Sequence, residues 1–282
     1  VTDPRTRLRA DCARCAGLCC VGPAFAASAD FAIDKPAGTP CVHLRTDDRC
    51  GIHDRLPERG FPGCTVFDCF GAGQQVVQAT SGGRGWRESP ELAAGMFAVL
   101  PVMRQLHEVL WHLAEVATLP VPAALHDEAR ALADRTAAVA DAPAPDLRAF
   151  DLAAHRARVE DLLGRASAHV RAPHTSTSTP GRSRRGADLV GRDLRRTRLV
   201  GADLRGALLI GADLRGADLT RTDLLGADLR AADVRGADLA GALFLTRPQL
   251  AAAVGDAATR VPAVLEHPGS WRRAGQTMGP GR

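Results

Sequence analysis

From Ala187 to Thr246 one five-residue phrase recurs twelve times in register. Its cleanest copies read Ala-Asp-Leu-x-Gly, as in Ala212-Asp213-Leu214-Arg215-Gly216. The central positions are Leu189, Leu194, Leu199, Leu204, Leu209, Leu214, Leu219, Leu224, Leu229, Val234, Leu239 and Phe244. A fixed short period constrains a segment more tightly than any propensity argument. Within each phrase small apolar, charged and large apolar side chains alternate. That is a strand-like period, with Ala and Leu on one side and Asp on the other. The small residue after x lets the backbone bend. One turn cannot bury its Leu alone, so the turns must stack, Leu on Leu and Ala on Ala.

Over 187–246 the phrase resembles the pentapeptide-repeat family. The resemblance implies a right-handed quadrilateral β-helix with four pentapeptides per coil, hence about three coils and a height of about 14 Å at the usual strand spacing. Departures from the pattern include Arg192 and Thr197 for Ala, and Arg198, Leu208 and Leu243 for Asp. An open β-helix exposes unpaired edges at its ends. The residues that follow predict a C-terminal cap over 247–273. Thr246 to Gln249 has capping-box spacing, and Pro248 suits a first helical turn. Leu250, Ala251 and Val254 form a short apolar face, and Gly255 is the expected stop. Residues 256–262 read as extended chain, Trp271 is expected to fold back, and the tail 274–282 is expected to be disordered.

All eight cysteines lie between residues 12 and 69. They are Cys12, Cys15, Cys19, Cys20, Cys41, Cys50, Cys64 and Cys69. No apolar leader opens the sequence, so a reducing, cytoplasmic setting is expected, where such a cluster reads as metal binding before disulfides. Cys-x-x-Cys brings two thiolates to one metal from a single turn. The vicinal pair Cys19-Cys20 is expected to diverge, leaving one sulfur for a second site. Thiolates suit zinc or an iron–sulfur cluster, and the choice between them stays open. His43 and His53 fall inside the module, and either imidazole could replace a thiolate. Gly17, Gly22, Gly51, Gly63 and Gly71 are expected to supply its turns. The blocks Cys12 to Cys20, Pro40-Cys41-Val42-His43-Leu44, Arg49-Cys50-Gly51-Ile52-His53 and Cys64 to Cys69 resemble the zinc- or iron-chelating proteins named for a Cys-x-x-Cys-x-x-Cys-Cys motif. The resemblance spans about residues 8–75. Here the first block has three residues, not two, before the pair, and Leu56 to Gly63 stand where relatives carry Arg-Pro before the next Cys. The resemblance implies the module, not the ligand set.

Residues 89–170 read as helices. Ser89-Pro90-Glu91 is a start signal. Leu92, Met96, Val99, Met103, Leu106, Leu110 and Leu113 make one stripe, with a kink expected at Pro101. Leu125, Ala129, Leu132, Thr136 and Val139 make a second. A third, capped by Asp146, carries Val159, Leu162, Leu163, Ala166 and Val170. Such stripes need partners, so a small bundle is expected. His107 and His112 are five apart, not four. They diverge by about 140° around a helix, which excludes the zinc-protease pattern and leaves partly exposed helix histidines. The organisation expected is a multidomain α + β chain. Its parts are a cysteine-rich metal-binding module at 1–80, a helical region at 81–170, a flexible linker at 171–186, the repeat at 187–246, the cap at 247–273 and the tail at 274–282.

Charge bears on function. In the repeat nine Asp balance nine Arg. Mimicry of DNA toward gyrase, which some pentapeptide-repeat proteins perform, needs a strongly acidic rod, so it is disfavoured here. Nucleic acid is disfavoured as a partner. A protein partner on the β-helix surface is expected, with a homodimer left open. No apolar run approaches membrane-spanning length, so a soluble chain is expected. Phosphate-binding glycine loops and serine nucleophile elbows are not found. The single lysine, Lys35, among many arginines reads as the coding bias of a GC-rich bacterial genome. The leading expectation is a non-enzymatic metal-binding scaffold, and its alternative an iron–sulfur redox or sensor protein.

Overall fold

The computed structural model describes residues 4–174 and 183–273. Half of the linker expected at 171–186 and all of the tail expected at 274–282 lie outside the described residues. The chain divides into two compact units, Val1–Gly164 and Arg165–Arg282.

In the N-terminal unit short helical turns punctuate long loops. Helices α1 (Leu18–Val21), α2 (Pro62–Thr65) and α3 (Ala72–Gln75) are the only α-helical pieces before residue 90 among the described residues. Then follow α4 (Pro90–Val116), α5 (Ala123–Ala140), α6 (Ala144–Ala149) and α7 (Leu152–Arg171). Ser89 caps α4, its hydroxyl accepting from Leu92 N at 3.2 Å. Helix α4 runs unbroken through Pro101. Its stripe forms the core: Met96, Val99, Met103 and Leu106 are buried with Leu18, Val76 and Leu147. Each fully buried side chain of this size contributes about 1.5–3 kcal/mol. A second, smaller cluster gathers Ile52, Leu56 and Phe61, with Phe25 and Phe31 packed against it.

Two expectations for the helices need correction. Asp146 sits inside α6, a separate short helix. The start of α7 is capped by Asp151, whose carboxylate accepts from Ala154 N at 2.9 Å. His107 and His112 are buried, not partly exposed. The α4 surface expected to face water is covered, and His107 Nδ1 donates to Phe70 O at 2.7 Å.

In the C-terminal unit the expected quadrilateral β-helix is not found. Among the described residues there is no β-strand. The repeat is a succession of turns joined by isolated parallel bridges. The bridges link residues twenty apart, as in Asp193↔Asp213, Asp213↔Asp233 and Leu208↔Asp228. The reason lies in the phrase itself. A turn every five residues leaves single bridging residues between bends, too few for a continuous ladder. The α + β class expected for the chain becomes a mostly helical N-terminal unit and, as a separate unit, a stack of turns.

The stack buries its expected residues. Leu204, Leu209, Leu214, Leu224, Val234, Leu239 and Phe244 are inaccessible to solvent. The recurring Asp has a structural task, since each bends its own turn. Asp193, Asp213 and Asp233 carboxylates accept from the backbone N–H two residues on, at 3.2 Å. Repeat glycines such as Gly216 take φ of +63°, a left-handed conformation that costs a residue bearing Cβ. Thr222 replaces an interior Ala and donates to Leu199 O at 2.7 Å, so its hydroxyl is not orphaned.

The stack outruns the repeat. Helix α8 (Arg247–Ala252) opens with the expected capping box, Thr246 N donating to Gln249 Oε1 at 2.9 Å. Gln249 Nε2 donates to Leu224 O and Ala227 O, at 2.8 and 2.9 Å, closing carbonyls of the coil below. Gly255 is not the helix stop, because Ala253 is. A Cβ at Gly255 would lie 2.5 Å from the Trp271 ring, so the glycine makes room for it. Val254, expected on the helix face, instead rejoins the bridges, as does Arg260 in the segment expected to be extended, with Asp256 bending the chain between them. Trp271, in α9 (Gly269–Arg273), is buried and donates to Ala253 O at 2.9 Å.

Candidate metal centre

All eight cysteines line one cavity of about 690 Å³ in the N-terminal unit, together with His43 and His53. Separate elements deliver them. Cys12 and Cys15 flank a turn whose start is capped by Asp11, which accepts from Ala13 N. Cys19 and Cys20 lie in the middle of α1. Cys50 closes a bridge with Leu44, and Cys41 N donates to Cys20 O at 2.9 Å. Cys64 lies in α2. Cys69 packs on the helical core, and Cys50 and Cys64 on the smaller cluster. The cavity therefore lies between two apolar bodies that fix its walls.

Tight backbone makes this convergence feasible. Gly17 has φ of +65°, and a Cβ there would meet Leu44 Cδ1 at 2.7 Å. Ala16 and Phe70, which follow Cys15 and Cys69, hold φ of 48° and 50° although neither is glycine. Such strain persists only where surroundings over-determine it, and it concentrates at functional positions. Of the glycines expected to supply turns, Gly71 also takes a left-handed φ of +80°, whereas Gly22, Gly51 and Gly63 do not.

The sulfurs sense one another. A hydrogen bond from Cys15, helped by the positive side of His53, pulls the Cys12 thiol down to about 6 against burial. Cys15 is pushed up by that same bond, then by burial and by Cys19. Cys19 is pushed well up by its bond with Cys20, then by burial. Burial chiefly lifts Cys64 to about 11, with Cys19, Cys41 and Cys50 adding like-charge repulsion. Burial also lifts Cys50 and Cys69. Several thiolates in one low-dielectric pocket repel each other, and a bound cation reverses that balance.

The vicinal sulfurs do not diverge as expected. Cys19 Sγ and Cys20 Sγ are 4.0 Å apart and face the same cavity. Two sulfurs at tetrahedral positions on one zinc would stand about 3.8 Å apart, given Zn–S near 2.3 Å. Among the described residues, however, no three His, Cys, Asp or Glu side chains are already gathered tightly enough to hold one ion. The donor set fits a soft metal or cluster, and side-chain rotation would have to complete its geometry. His43 sits edge-on to Phe61, their ring centres 5.0 Å apart, and His53 begins a short helical turn. His107 and His112 do not line the cavity. Among the described residues no helix is long and apolar enough to cross a membrane.

The family model of pentapeptide repeats matches residues 185–209 and 207–244, with eight copies. Among solved structures the chain is similar to a pentapeptide repeat protein, Rfr23, from the cyanobacterium Cyanothece 51142, at 36% identity and a TM-score of 0.21. That match covers 26% of this chain and 46% of the other, so the chain spans under half of that structure. Among curated proteins it is similar to YybG of Bacillus subtilis (strain 168), described as uncharacterized, at 51% identity over 265 residues. This similarity covers 94% of the chain and 95% of YybG, so it takes in the cysteine segment, the helices and the repeats together. The chain belongs to the family of YybG, and its C-terminal unit carries pentapeptide repeats.

Proposed function

We propose that the chain is a metal-binding scaffold. In this reading the N-terminal unit holds zinc or an iron–sulfur cluster through its cysteines, and the repeat stack is a rigid platform for a protein partner. The observation that carries it is the convergence of all eight cysteines, with His43 and His53, on one cavity. The metal would fold a loop-rich segment whose own apolar cluster is small. The stack's charges largely satisfy each other, as in Arg215 with Asp213 at 2.7 Å and with Asp233 at 3.6 Å. A partner would therefore meet a neutral, patterned surface. That surface supports protein contact better than gyrase binding by DNA mimicry.

A second reading, an iron–sulfur redox or sensor protein, is favoured by the cavity's volume, which exceeds the need of a single ion. Anaerobic purification with elemental analysis and a visible spectrum tests both. Colourless protein with stoichiometric zinc supports the scaffold reading. Brown protein with iron and acid-labile sulfide supports the second. Freshly isolated protein with its sulfurs bonded to each other and no transition metal sinks both.

A further inference from the structure

One buried charge lies among the cysteine-bearing segments, behind the cavity-lining Phe25. Lys35 is the single lysine of a chain with thirty-five arginines. It is 3% exposed. Its Nζ donates to Val21 O at 2.9 Å, Thr39 O at 2.9 Å and Pro36 O at 3.1 Å, which uses all three ammonium protons. The ammonium also lies 5.3 Å from the centre of the Phe25 ring. A planar guanidinium cannot converge on three carbonyls around one nitrogen, so this position separates lysine from the arginines used elsewhere.

Among the described residues no carboxylate pairs with Lys35. Burial chiefly pulls the Lys35 pKa below the ordinary lysine range, and negative charge at Cys41 and Cys20 would act against that. Two of its carbonyl partners belong to the segments carrying these cysteines: Val21 follows Cys20, and Thr39 precedes Cys41 by two residues. A buried cation is costly without a counter-charge, and neutral thiols supply none. Thiolates on a metal do, because four of them on a divalent ion leave a net negative centre.

We propose that Lys35 is the internal counter-ion of the cysteine centre, its ammonium offsetting thiolate charge at Cys20 and Cys41 when an ion or cluster is held. The inference rests on the metal-binding reading above. Lys35 acts through charge and position, not as a ligand.

The test uses the full chain, stripped of metal and titrated anaerobically with Co(II), whose thiolate charge-transfer absorbance reports sulfur ligation. Affinity is read by competition with a chelator. Lys35→Met and Lys35→Gln remove the charge, whereas Lys35→Arg keeps it without the threefold carbonyl bond. Thermal melts of the metal-free variants report what the carbonyl bonds contribute to folding. The expected result is that Met and Gln weaken Co(II) binding by about tenfold or more, while Arg stays within about threefold of the parent. Parent-like affinity in the Met and Gln variants overturns the inference. So does an equal loss of affinity in all three, which marks Lys35 as a clip between loops. A parent chain that shows no thiolate–cobalt band sinks the metal-binding reading itself, a failure distinct from either.

Discussion

At the scale of single residues, buried histidines tie stability to pH. His155 Nε2 donates to Thr136 Oγ1 at 2.8 Å, because the hydroxyl proton is already given to Leu132 O. Burial chiefly depresses the pKa of His155, with Arg135 and Arg158 adding repulsion. Burial also depresses His107, despite its bond to Phe70. Unfolded, each would take its proton at the ordinary histidine range near pH 6.5. Below that range the unfolded chain binds more protons than the native one, so stability falls as pH drops and is indifferent above it. Denaturant melts from pH 7.5 to 5 should show this decline, and His155→Gln should flatten it. A left-handed residue offers a second check. Ala231 holds φ of 54° where most turns of the repeat use glycine. Ala231→Gly should stabilise the C-terminal unit by about 1 kcal/mol or less, since relieved strain exceeds the entropy glycine adds to the unfolded chain. A lower melting midpoint for this variant would contradict that. Single residues were unevenly legible in the sequence. The interior positions could be read, since a period names its own core. The task of Asp as a turn-bender could not, because an outward carboxylate looks the same whether it serves solvent, a partner or its own backbone. Lys35 left one signal, its solitude among arginines, and composition bias explained that signal away.

At the scale of elements, the closure of the stack depends on three side chains: Gln249, Trp271 and the absent one of Gly255. Trp271→Ala should destabilise the C-terminal unit by about 3–5 kcal/mol, the usual cost of emptying a buried aromatic site. Gly255→Val should act in the same direction by displacing that ring. Both are checked by guanidinium unfolding followed through signals of the C-terminal unit. A cost below about 1 kcal/mol for Trp271→Ala would mean that the end of the stack is closed by other means. The capping box was legible because it is local chemistry at fixed spacing. The continuation of the stack through Val254 and Arg260 was not, since neither residue repeats the phrase. The strands expected from alternation also failed, because alternation fixes which side a residue faces and not how many bridges follow one another. The helical stripes were read correctly where apolar spacing was unbroken. The start of α7 was misplaced because Asp146 and Asp151 are both plausible caps, and only packing chooses between them.

At the scale of the whole molecule, the two units draw stability from different sources. The stack is held by interior Leu layers and by bonds between coils. The cysteine segment has a small apolar cluster and a cavity at its centre. Treatment with a strong chelator under reducing conditions should therefore lower the melting transition of residues 4–164 and leave that of 165–273 within about 2 °C. Calorimetry with limited proteolysis separates the two, and a chelator-insensitive first transition would argue that no metal supports the fold. That the cysteines gather in one place was legible from their crowding between residues 12 and 69. The wall residues that shape it could not, because Phe25, Phe31 and Phe61 meet only through long loops.

Bridges that join residues twenty apart impose a grammar on insertions and deletions. Losing one pentapeptide would carry every later residue to the neighbouring side of the coil. That would move the Asp213–Arg215 pair out of line with Asp193 and Asp233, and bring Gln249 beneath different carbonyls. Gain or loss of twenty residues would keep all sides aligned and change only the height. Lineages of this chain should therefore differ in repeat length by whole coils, or pay for a partial one by rebuilding the cap.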